Sequence, residues 1–118
     1  MRAVEALLIQ GETVYFVPQN VREFWNVCTR PAENNGLGMT PAEVRAEVEN
    51  LETTLTFLPD SPAVYTEWRR LVELHSVIGV QVHDANLVAA MNVSGITHLL
   101  TFNPAHFKRY PGIIVVEP

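Results

Sequence analysis

The residue with the clearest chemical potential in this sequence is Asp84. At about 100° per residue it shares a helical face with Leu87, Val88 and Met91, which sets a carboxylate within an apolar stripe. An unpaired carboxylate is costly to bury, so the pattern requires a partner, either a metal ion or a hydrogen-bond donor. An acid in the first turn of a helix also satisfies free amides and the macrodipole, and the sequence leaves both readings open. Glu23 lies opposite Val21, Phe24 and Cys28, with Asn26 and Val27, and by periodicity alone it is solvated. It nevertheless follows the carboxyl end of an expected strand, where ligands gather in open α/β sheets. Asn103 and His106 hold the same kind of position after a later strand. They are either site residues or a turn at Asn103 and Pro104 with His106 packed beside Phe107. Trp25, Trp68 and Phe57 read as core residues, with base stacking as the alternative for either tryptophan. Lys108 and Arg109 read as solvated surface or as phosphate contacts.

The elements that must position these residues follow from periodicity and punctuation. Val4, Leu7 and Leu8 predict a helix over residues 1–10 that stops at Gly11. Thr13 to Val17 is β-rich and closes at Pro18, and residues 19–29 predict a helix with Val21, Phe24, Trp25 and Cys28 on one face. Asn34, Asn35, Gly36 and Gly38 make residues 30–39 a loop. Thr40, Pro41 and Glu43 then announce a helix through a hydroxyl cap, a first-turn proline and a capping box. Residues 54–58 turn β-like before Asp60, Ser61 and Pro62 open a helix that runs to His75. A helix over residues 83–92, closed by Ser94 and Gly95, precedes buried strands over 96–102 and 112–116. Such alternation predicts an α/β fold with a parallel sheet covered by helices, because parallel neighbours need crossover connections.

Composition narrows the function classes. A chain of 118 residues, 47% apolar, is suited to one compact domain. The single cysteine, Cys28, cannot form an internal disulfide, and no leader or lipidation signal is expected, so the protein is read as cytoplasmic. No apolar run reaches the roughly 20 residues a membrane helix requires. The formal charge of -5 argues against broad nucleic-acid binding, which needs a dense basic surface. A carboxylate metal site lowers the net charge by its own ligands while the ion supplies local positive charge, so a nuclease remains compatible. GxGxxG, P-loop, HExxH and paired CxxC motifs are absent, and the four histidines lack metal-ligand spacing.

Taken in order, VYFVPQNVREFWNVCTRP, LPDSPAVYTEW, VHDANLVAAM and ITHLLTFNPAHFKRYPGIIVVEP resemble a PIN domain of the VapC-like toxin type, and the resemblance covers essentially the whole chain. It implies a three-layer α/β/α sandwich with a mostly parallel sheet over residues 1–118, and cleavage of RNA with Mg²⁺ or Mn²⁺ held by acidic residues. Glu23 in VREFWNV matches the glutamate on the helix after the family's second strand, and Asp84 in HDANLVAAM matches the acid that begins a later helix. The family's last acid sits in a pattern close to T-x-D-x-x-D-F, where this chain has Thr101, Asn103, His106 and Phe107. The family's first strand, which ends in an aspartate, has no counterpart, so a central strand and one ligand are expected to be missing.

The resemblance implies metal-assisted phosphodiester hydrolysis, with Glu23 and Asp84 as catalytic residues and metal ligands. Asn103 becomes a neutral ligand, and Thr101 and His106 become substrate contacts. It further implies RNA as substrate, a cognate antitoxin and a homodimer as partners, and no membrane association. The alternative from a different class is a noncatalytic PIN remnant that binds a protein, or a second copy of itself, through surface exposed by the missing strand.

Overall fold

The computed structural model describes residues 2–118. Its elements run α1 (Arg2–Ile9), β1 (Tyr15–Phe16), α2 (Pro18–Thr29), α3 (Pro41–Thr54), β2 (Thr56–Phe57), α4 (Pro62–Leu74), α5 (Gln81–Ser94), β3 (His98–Leu100) and β4 (Ile114–Val116), with 3₁₀ turns at Ala32–Asn34 and Pro104–Phe107. The fold is α/β, and the chain divides into two compact units, Ala3–Pro59 and Asp60–Pro118.

The alternation of elements is as the sequence predicts, and both strand pairings are parallel. The strands form two separate two-stranded sheets rather than one. In the first unit β1 pairs with β2, Tyr15 opposite Thr56 and Phe16 opposite Phe57, and α2 and α3 make the crossover. In the second unit β3 pairs with β4, His98 opposite Ile114 and Leu100 opposite Val116. The segment between these strands is long enough for a parallel crossover yet carries only the 3₁₀ turn Pro104–Phe107. The strands are shorter than the β-rich runs predict, because only residues that find a partner strand stay in the ladder. Helix α5 is longer than expected, beginning at Gln81 and running through Ser94 to Gly95, whose φ of 70° supplies the left-handed terminus.

Local signals explain the helix starts. Thr40 Oγ1 accepts from the Glu43 amide and Glu43 Oε1 accepts from the Thr40 amide, completing the capping box before α3. Ser61 caps α4 by accepting from the Val64 amide at 3.2 Å, with Pro62 in the first turn. In the first unit the core gathers Cys28, Val44 and Val48, with Val21, Phe24 and Met39 against them. In the second, Val64 and Leu71 of α4 are buried, as are Ala85, Val88 and Ala89 of α5 and Leu99 of β3. Two tethers link α4 to α5. Trp68 Nε1 donates to the Val82 carbonyl at 2.8 Å, and Asn92 donates to Glu67 at 2.8 Å.

The aromatic expectations need correction. Trp25 is 36% exposed and Phe57 50% exposed, so neither is a core residue. The contact of α2 with its core runs through Val21, Phe24 and Cys28, which leaves Trp25 at the margin of the stripe. Phe57 sits on a two-residue strand and covers only one side of its ring, against Phe16 at 5.2 Å between centroids. Trp68 is half-buried, as its hydrogen bond to Val82 requires.

Candidate active site

The residues that could do chemistry in the second unit lie on two segments, the first turns of α5 and the β3–β4 crossover. At the end of β3, the Thr101 amide donates to the Val116 carbonyl at 3.1 Å, which fixes Thr101 to the strand pair. Thr101 Oγ1 accepts from the Asn103 amide at 3.0 Å, and the Asn103 carbonyl accepts from the His106 amide at 3.1 Å. Asn103 precedes Pro104, which disfavours a helical conformation, and its φ of -120° and ψ of 63° set the start of the 3₁₀ turn. That turn buries Phe107 and swings His106 over the amino-terminal part of α5. There His106 Nδ1 lies 3.3 Å from Asp84 Oδ2.

The Asp84 side chain is 27% exposed and that of His106 is 45% exposed, so the pair sits at the surface. The contact is favourable only with the Nδ1 proton on the imidazole, which leaves Nε2 as the nitrogen available to solvent or substrate. Asp84 falls in the first turn of α5, where the macrodipole also favours a negative charge. Asp84 is thus a first-turn acid that accepts from no helix amide among the described residues, partly exposed, with His106 as its side-chain neighbour. Asp84 Oδ1 has no hydrogen bond among the described residues.

The sequence matches no protein-family model and no curated protein.

Glu23, in the other unit, is exposed and accepts one hydrogen bond from Gln19 Nε2 at 3.2 Å, one turn earlier in α2. This is the solvated placement that its periodicity predicts. A shallow depression beside it is lined by Val21, Arg22, Trp25 and Asn26, which offer no acid. Among the described residues, no three histidine, cysteine or acidic side chains gather where they could share an ion. In kind, the carboxylate oxygens of Asp84 and the amide oxygen of Asn103 are hard ligands of the sort that Mg²⁺ or Mn²⁺ takes. Mg²⁺ is commonly bound by one or two carboxylates, with waters and substrate phosphates completing its shell. Were Asp84 to hold such an ion, the imidazole of His106 would help to orient its carboxylate, as partners of metal ligands commonly do.

Around this pair, sequence reasoning gave no role to Gln81, His75 or Tyr110, and left Arg109 as solvated surface or a phosphate contact. Gln81 accepts from Arg109 Nη2 at 2.6 Å, and Arg109 Nη1 reaches the His75 carbonyl at 3.5 Å. The His75 ring meets Tyr110 edge-on at 5.0 Å, with its Nε2 buried and unpartnered. Burial pushes the Tyr110 phenol up, the positive charge of Arg109 opposes that shift, and the carboxylate of Asp84 adds to it. A signal existed in the spacing: Gln81 and Asp84 are three apart, as are His106 and Arg109, so two short helical segments can meet in two rungs.

Proposed function

We propose that the chain is a metal-dependent ribonuclease of the PIN-domain, VapC-like type, hydrolysing RNA phosphodiester bonds. One observation carries this reading. Four residues singled out by the resemblance, Thr101, Asn103, His106 and Asp84, form a continuous run of contacts at the carboxyl end of β3. The carboxyl ends of parallel strands are where α/β folds bind ligands.

Asp84 and Asn103 are the residues of this unit that would hold Mg²⁺ or Mn²⁺, and the bound ion would activate a water and stabilise charge on the phosphate. Asp84 fixes the imidazole through Nδ1, so His106 Nε2 is aimed for a phosphate oxygen or the attacking water. Thr101 keeps the Asn103 backbone in register and leaves its amide at the surface. Glu23 supplies a solvated carboxylate, and its part in catalysis is read by Glu23→Gln. RNA, a cognate antitoxin and a second copy of the chain are the partners of this reading. No helix among the described residues is long and apolar enough to cross a membrane.

The noncatalytic reading has an observation of its own: the strands form two separate pairs, each with free edges, and short unpaired edges can accept a protein partner. One experiment separates the two. The purified chain is incubated with structured RNA in Mn²⁺ or Mg²⁺, with EDTA and Asp84→Asn as controls. Cutting that needs the metal and disappears in the variant supports the nuclease. Cutting no greater than that of the variant rejects it in favour of a protein-binding module.

A further inference from the structure

The basic residues of the second unit are not equivalent. Arg69 pairs with Glu73 at 2.8 Å, and Arg70 pairs with Glu67 at 2.7 Å, so the guanidinium groups of α4 are already matched by carboxylates. Arg109 is held differently. Its partners, the Gln81 side-chain amide and the His75 carbonyl, are both neutral. Neutral acceptors fix the geometry of a guanidinium without cancelling its charge, and two of its five N–H donors are used, leaving the others for a ligand. Lys108 is exposed and has no such anchor among the described residues.

The position of Arg109 follows from the two-rung contact. Asp84 meets His106 and, one turn earlier in α5, Gln81 meets Arg109. Side chains three apart on a helix are neighbours at roughly 5–6 Å between Cβ atoms, so the guanidinium stands about one turn from the carboxylate–imidazole pair. Tyr110, buried beside Arg109, also lies near enough to Asp84 for that carboxylate to push its phenol up.

We propose that Arg109 is the phosphate-binding residue of this site, taking a backbone phosphate of the RNA while Asp84 and His106 face the reacting bond. The inference rests on the ribonuclease reading and adds to it the contact by which a chain of net charge -5 holds a polyanion. A guanidinium already fixed in place loses little freedom on binding, and its planar fork matches two phosphate oxygens. It is a positioning residue, acting on affinity ahead of the chemical step.

The test is binding of a fluorescein-labelled hairpin RNA by fluorescence anisotropy across a salt series, in the Asp84→Asn background so that the RNA is not cut. Arg109→Gln should weaken binding about tenfold, the loss expected of a charge-assisted hydrogen bond. It should also flatten the dependence of log affinity on log salt by about 0.7–0.9, the contribution of one phosphate contact in a single-stranded loop or a duplex stem. Arg109→Lys should restore the salt slope without restoring full affinity, and Arg69→Gln in α4 should change neither. An Arg109→Gln protein with unchanged affinity and slope overturns this inference and leaves the ribonuclease reading standing. Absence of RNA binding in every variant overturns both.

Discussion

Glu67→Gln isolates the junction of α4 and α5 that supports the site. Glu67 accepts from Arg70 Nε and Nη2, both at 2.7 Å, and from Asn92 Nδ2 of α5 at 2.8 Å. Its side chain is only 18% exposed, whereas that of Arg70 is 55% exposed, so the Arg70 pairing is a surface interaction of small net worth. The bond from Asn92 is the one that ties two helices together. Glutamine keeps one acceptor oxygen and turns an amide donor toward groups that are themselves donors, so the change should cost about 1–2 kcal/mol at neutral pH. For a chain of this size that is a fall in Tm of about 5 °C, read by circular dichroism. The pH dependence gives the sharper check. The hydrogen bond from Arg70 holds the Glu67 carboxyl below its ordinary value of 4.5, burial opposes that, and the bond from Asn92 and the charge of Arg70 add to it. A depressed folded value means the stabilisation is complete above the free-glutamate value and is lost as pH falls through the folded one. The gap between wild type and variant should therefore be full at neutral pH, narrow below 4.5 and close once the bound carboxyl is protonated. A gap of equal size in acid, or none at neutral pH, would refute the assignment of this junction to an ionised Glu67.

Two further outcomes probe each unit separately. Val88→Ala empties a fully buried position in the middle of α5 and should lower stability by about 2 kcal/mol in denaturant titration, with no change in the slope of unfolding. A Cβ at Gly36 would fall inside van der Waals contact with the Arg30 carbonyl and side chain, in a loop where the Arg30 carbonyl already accepts from the Gly38 amide. Gly36→Ala should therefore cost about 3 kcal/mol, visible as a loss of hydrogen-exchange protection at the end of α2.

The helix starts were legible because their causes are local. A hydroxyl followed by proline and glutamate at Thr40, Pro41 and Glu43 makes the same two hydrogen bonds wherever the chain goes. The core stripe of Val21, Phe24 and Cys28 was legible for the same reason, since periodicity fixes which side chains share a face. Which members of a face are covered is not local. Trp25 belongs to the stripe by angle yet lies at its margin, because burial depends on where the neighbouring element ends.

The site divides along the same line. Sequence by itself determined that Asp84 shares a helical face with apolar residues and that Asn103 and His106 follow a strand, since spacing and residue chemistry are properties of the chain. Only the tertiary structure decided that the partner of Asp84 is His106, that Gln81 and His75 hold Arg109, and that the strands pair two by two. Contacts between residues some twenty or more positions apart depend on how a crossover folds back over a helix, and no periodic pattern in the sequence encodes that path.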